Sequence, residues 1–282
     1  MEYSRILSKD VESQTNTINQ GWCKDIVRVE DDGEEEIAGV VLRTLPLFPN
    51  TKDGKPLSRS QKQPFRDLGS ILPRNERPET SAIRVPGISG PIPDLVYGVK
   101  STSFNEAERM AQLTQPIKRI CQPIANVYWP FLSVEVKAPS KGGTMWIATN
   151  QCAGTGSACV KALTVLQEHD GSVPNEDPNS IAFSCAVDGR TTELFVHWYE
   201  APHNFRLARI NTYVLSRDDE LLRLRRHVAG IVEWGVGERL AKIKTRLSQI
   251  FETTVGAART GNRRQREEPD AEGGEEESTA SA

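Results

Sequence analysis

At 282 residues, the chain has room for one large domain or two small ones. A body of that size buries roughly 70–75% of its unfolded surface, so its core needs neither disulfides nor a structural metal. Hydrophobic residues make up 37% of the chain and charged residues 26%, and no stretch approaches 18 uninterrupted apolar residues, which excludes a membrane-spanning helix. The net charge of −3 sits at the end: four Arg against seven acids in 259–282 leave 1–258 with 31 of each sign. A neutral body excludes bulk electrostatic coating of DNA, so any nucleic-acid binding needs a local patch.

The opening Met1-Glu-Tyr-Ser-Arg5 has no apolar signal region, and the reading is of a protein that is not secreted. Five cysteines (23, 121, 152, 159, 185), odd in number and without a Cys-x-x-Cys pair, read as reduced thiols in the cytoplasm or nucleus. Cys152 and Cys159 share a helix face and read as small buried hydrophobes. The four histidines form no cluster, and zinc is not indicated.

In chain order, residues 1–90 form an irregular N-terminal region. Asp31–Glu36 reads as a solvated turn and Ile37–Leu45 as a strand, and from Pro46 to Pro91 prolines and glycines recur without periodicity. Order rises at Pro93. Leu95–Val99 is a short apolar strand, Phe104–Leu113 has helical composition and Tyr128–Ala138 is a buried strand. Thr144 then caps a helix running to about Glu168. That helix is rich in small residues (Ala148, Ala153, Gly154, Gly156, Ser157, Ala158, Ala162), which predicts close approach to a sheet. Three strands follow, Ile181–Val187, Glu193–Trp198 and Leu207–Leu215, with Asp188-Gly189 as a hairpin signal. Helical spacing from Asp219 to about Phe251 makes the last ordered element, with Gly235 and Gly237 as candidate break points. From Gly256 onward the composition predicts a disordered, charged tail. The order of elements gives an α/β (α+β) fold with a mixed sheet over 91–255.

The segment Phe131-Leu-Ser-Val-Glu-Val-Lys-Ala138 carries the chemistry. Side chains alternate on a strand, so Leu132, Val134, Val136 and Ala138 share one face and Phe131, Ser133, Glu135 and Lys137 the other, with Glu135 and Lys137 about 6.6 Å apart. Asp94 precedes the other apolar strand. If the two strands pair, Asp94 and Glu135 can share one hard cation, Mg²⁺ or Mn²⁺, with waters left on it. Lys137 would then orient a water and offset charge on a phosphate. An acid-x-Lys triplet alone says little: chance gives about two, and there are two, Asp53-Gly-Lys55 and Glu135-Val-Lys137. Only the second lies on a strand. The plain alternatives are a Glu135–Lys137 ion pair on a solvated sheet face, Asp94 as a turn residue and Gln151 as a locally capping helix residue.

Pro93-Asp-Leu-Val-Tyr-Gly98, Phe131–Lys137 with Trp146-Ile-Ala-Thr-Asn-Gln-Cys152, and Ala182-Phe-Ser with Leu194-Phe-Val resemble the PD-(D/E)XK nuclease-like superfamily, in particular fungal proteins with this domain. The resemblance covers about 90–215. It implies a restriction-endonuclease-like mixed central sheet flanked by helices. It also implies Asp94 and Glu135 as metal-binding acids, Lys137 as the motif lysine and Gln151 near the active site on the following helix. The activity implied is metal-dependent phosphodiester hydrolysis on nucleic acid; the alternative is a catalytically inactive recognition module of the same fold. Some members add a Glu from a helix before the first strand; no residue is assigned to that role here, Glu76 and Glu79 being the two considered. The forty residues between Asp94 and Glu135 require an insertion, expected to be the helix at 104–113. A basic stretch at 217–246 is a candidate phosphate-tracking face.

Overall fold

The computed structural model describes residues 3–8, 22–45, 47–51, 55–66, 91–172, 180–200 and 204–266. Glu76, Glu79, most of the Pro/Gly-rich stretch after residue 66 and the tail beyond residue 266 lie outside the described residues. Six strands, β1 (Leu57–Ser60), β2 (Leu95–Val99), β3 (Tyr128–Val136), β4 (Ala182–Val187), β5 (Thr191–Glu200) and β6 (Asn204–Val214), form one sheet in chain order. All neighbours are antiparallel except β3 and β4, which run parallel. A parallel pair needs a crossover, and the long helix α6 (Met145–Asp170) provides it. The fold is therefore mixed α/β, a six-stranded sheet with helices on its faces.

Local chemistry accounts for the elements nearest the site. The Thr144 hydroxyl accepts from the Ile147 N–H at 3.2 Å, capping α6. The Asp188 carboxylate accepts the Arg190 and Thr191 N–H groups (2.8 and 2.6 Å) and closes the β4–β5 hairpin. The forty-residue insertion is helical, with α4 (Glu106–Gln112) and α5 (Ile117–Ile120). The last helical stretch breaks at Gly237 into α7 (Asp218–Val236) and α8 (Glu238–Arg266). Helix α8 continues past Gly256, where composition places the start of the tail.

The N-terminal residues belong to the core. Helices α1 (Tyr3–Ser8), α2 (Trp22–Val29) and α3 (Glu34–Ala38) lead into a π-helical turn, Gly39–Thr44. The strand expected at Ile37–Leu45 is thus helical. Its apolar residues Ile37, Val41, Leu42 and Leu45 are buried with Leu132, Val134 and Val136 of β3 and with Leu224, Ile231 and Trp234 of α7. Helical winding delivers those side chains to one surface, whereas a strand would divide them between two. The other sheet face carries α6, whose Ala148 and Cys152 pack on Ala186 and Phe195.

Strand β3 is held in place by an irregularity. Its register against β2 shifts between Tyr97 and Val99, and Trp129 takes a left-handed backbone (φ 48), costly for a bulky residue. Three contacts hold it there: its N–H donates to the Cys121 carbonyl at 2.7 Å, its indole to Gln112 at 3.3 Å, and its carbonyl accepts from Arg239 at 2.9 Å. Arg239 also donates to the Pro130 carbonyl at 3.1 Å, lies against Phe131 and Trp234 and is 1% exposed. Burial brings its pKa down to about 10, so it remains a cation at neutral pH. Arg239→Ala leaves two buried carbonyls without donors and opens a cavity; it should cost about 3–5 kcal/mol, read as a lower urea midpoint.

Candidate active site

The antiparallel register pairs Leu95 with Val134, and one step outward the same register sets Asp94 opposite Glu135. The Asp94 carboxylate accepts the Val136 N–H at 2.7 Å, so it lies across the end of β3. Asp94 is 6% exposed and Glu135 1%. A solvated sheet face is excluded for Glu135, because that face is covered by α6. Lys137 follows on the same strand, its ammonium 3.3 Å from Glu34 and 2.9 Å from the Val136 carbonyl. Asp94, distant in sequence from Glu135 and Lys137, shares one corner of the sheet with them, and each acid feels the Lys137 charge.

Both acids bind protons more tightly than usual. Burial, and next the Asp94 charge, push Glu135 up to about 8 against the lowering effect of Lys137. Burial also raises Asp94, with the Val136 N–H pulling the other way. Thr155 Oγ1 donates to Glu135 Oε1 at 3.2 Å and lies equally close to the Gln151 carbonyl, so its single proton is shared between two acceptors.

Behind Glu135 lies a closed polar cluster. The Ser184 hydroxyl is 2.7 Å from His197 Nε2 and also bonds the Cys152 thiol, which feels the Glu135 charge. Burial drives His197 down to about 3, so the ring is neutral, and its Nδ1 has no hydrogen-bond partner among the described residues. The expected small-residue approach of α6 is realised at Gly156, where a Cβ would fall 2.2 Å from His197 Nδ1. Gly154, by contrast, faces open space. Gly156→Ala must move a packed ring; it should destabilise by about 1–3 kcal/mol, despite the ~1 kcal/mol helix-propensity gain, seen as a lower melting temperature.

The sequence reading missed four neighbours. Glu34, in the first turn of α3, pairs with Lys137 and adds negative potential at Asp94 and Glu135. Lys62 lies near Asp94 and pairs with Glu35, which also attracts Arg43. An acidic triplet before an apolar run is a helix-start signal and would have pointed to Glu34. Gln151 lies one turn before Thr155 with its side chain exposed; only its carbonyl touches the cluster. The basic residues of 217–246 are largely engaged within the protein. Arg217 and Arg223 pair with Asp219 and Glu220, Lys244 with Glu108 and Arg246 with Asp170, while Arg225 lies over Trp22 and Arg239 is buried.

Among the described residues, no three His, Cys, Asp or Glu side chains are grouped closely enough to hold a metal ion by themselves. A magnesium-type ion needs less, since it is bound by one or two carboxylates and keeps several waters. Asp94 and Glu135 fit that requirement in kind. They are neighbouring oxygen donors, and burial holds both carboxyls above their ordinary values. Among the described residues, no helix is long and apolar enough to cross a membrane.

Comparison with known proteins gives no match among curated proteins and none among solved structures. One family model covers most of the chain, residues 8–247, including α2, α3, the whole sheet and the site residues Glu34, Asp94, Glu135 and Lys137. The chain belongs to that family, described as Domain of unknown function (DUF7924).

Proposed function

We propose that the protein is a metal-dependent phosphodiesterase of the PD-(D/E)XK nuclease-like type, with the restriction-endonuclease-like fold, acting on nucleic acid. One observation carries the reading: Asp94 before β2 and Glu135 on the neighbouring β3 stand opposite one another, both buried and both within reach of the Lys137 charge. Asp94 and Glu135 would hold Mg²⁺ or Mn²⁺, which when bound polarises a phosphoryl oxygen and acidifies a water. Lys137 has a role independent of the ion: its ammonium stabilises negative charge developing on the phosphate and orients the attacking water. Thr155 holds one oxygen of Glu135, and the Val136 N–H one of Asp94. Glu34 pairs with Lys137 and restrains it.

The purified protein should cleave plasmid, single-stranded DNA or RNA with Mg²⁺ or Mn²⁺ and stop when the metal is chelated. Cleavage that survives chelation, or that Glu135→Ala leaves intact, would defeat the reading. A second reading, a non-catalytic recognition module, is motivated by the neutral charge balance of residues 1–258 and by the forty-residue insertion between Asp94 and Glu135. Calorimetric titration with Mn²⁺ separates the two: heat lost in Glu135→Ala supports the enzyme, and no heat in the native protein supports the module.

A further inference from the structure

Beside Asp94 a pocket of about 260 Å³ opens between the π-helical turn and the end of β1, lined by Glu35, Leu42, Arg43, Gln61, Lys62 and Asp94. It falls below the ~300–1,000 Å³ usual for a whole small-molecule ligand, so it suits a single chemical group. Two cations reach it from different elements, Arg43 from the π-helical turn and Lys62 from the turn after β1. The Lys62 backbone is left-handed (φ 48) and its N–H donates to the Pro93 carbonyl at 3.0 Å, which ties that lysine to the residue before Asp94. Both cations lean on one carboxylate: Lys62 pairs with Glu35 Oε1, and Arg43 lies 4.0 Å from Oε2 and 3.4 Å from the Glu35 carbonyl. Glu35 is 64% exposed at its side chain. An exposed ion pair is weakly held and readily exchanged, and the arginine fork and lysine ammonium suit phosphate as well as carboxylate.

We infer that this pocket is a phosphate subsite for a nucleic-acid backbone, and that Glu35 occupies its two cations until a phosphate displaces it. The inference rests on the phosphodiesterase reading for the identity of its ligand. Glu35 then acts as a built-in competitor. Lys62 and Arg43 bind the phosphate next to the scissile one, which sets the strand across Asp94 and Lys137.

Fluorescence anisotropy of a labelled single-stranded 12-mer, with the full chain in EDTA at low salt, tests this. Lys62→Ala and Arg43→Ala should each weaken binding about 5–10-fold and flatten the log–log salt dependence by about 0.7. Glu35→Gln should tighten binding about 3–10-fold, the opposite sign, because it frees two cations. Thermal melts of the same variants guard against misfolding. If Glu35 only staples α3 to the sheet, Glu35→Gln lowers stability and leaves affinity unchanged, which overturns the inference. Unchanged binding in both cation variants, or no binding by the native protein, also overturns it. Displacement of the oligonucleotide by inorganic phosphate at equal ionic strength would reassign the pocket to free phosphate. The assay contains no metal, so the cation variants can lose binding whether or not the native protein cleaves, and the two readings fail separately.

Discussion

Lys137→Ala is expected to lower metal-dependent cleavage by about 10²–10³-fold, the scale of removing one group that stabilises transition-state charge. The loss should fall on kcat rather than on folding. The Lys137 side chain retains 13% exposure and its partner Glu34 37%, so their ion pair is partly solvated and contributes at most about 1 kcal/mol. Circular dichroism and the urea midpoint should therefore stay close to those of the native protein, and Mn²⁺ binding at Glu135 should persist. Equal cleavage by native and variant proteins would remove Lys137 from the chemistry. A collapsed urea midpoint would instead make it a structural residue. Glu34→Gln is the companion variant: it releases the lysine without removing it, so its effect on rate should be smaller than that of Lys137→Ala.

Glu135 should make the protein lose stability as the solution becomes alkaline. Its folded-state pKa is raised from 4.5 to about 8, first by burial and then by the Asp94 charge. Between those values the folded protein keeps a proton that the unfolded chain has released. The contribution to stability is therefore fully present below pH about 4.5 and is lost as pH rises through about 8. Each pH unit across that window costs at most about 1.4 kcal/mol. Glu135→Gln keeps a neutral polar group against Thr155 and cannot ionise. Its urea midpoint should be nearly flat between pH 7 and 8, above the range in which His197 titrates in the unfolded chain, and should exceed that of the native protein at pH 9. Parallel profiles for the two proteins would show that Glu135 is ionised in the folded state. The same proton links to metal binding. At pH 7 a divalent ion on this carboxylate must displace it, so Mn²⁺ titration in buffers of different ionisation enthalpy should report release of about one proton per ion.

The elements surrounding the site were legible where the determining interactions are local. Thr144 caps α6 through a hydroxyl three residues from its donor, the Ile147 N–H, Asp188 closes its hairpin within three residues, and Gly237 breaks the last helix where its sequence suggests. The pair Glu135–Lys137 was visible because strand alternation needs only adjacent residues, and Asp94 because its strand is short and apolar. Ile37–Leu45 was misread for the complementary reason. A short run rich in Val, Leu and Ile suits a strand and a buried helix equally, and only packing against β3 and α7 decides between them. Glu34, Glu35 and Lys62 escaped notice because the acidic run looked solvated, and its partners Lys137 and Lys62 lie 103 and 27 residues away.

Hydrophobic period, cap and turn residues were sufficient to specify a mixed α/β chain with a carboxylate and an amine on one strand face, since those signals act over a few residues. The burial of Glu135, the approach of Asp94 to it, the Glu34 charge beside both and the pocket with Lys62 and Arg43 at Asp94 came only from the folded molecule. Desolvation and Coulomb interaction depend on distance through space. The chain sets those distances only when β2 meets β3, α6 covers one side of the sheet and the N-terminal helices close over the other.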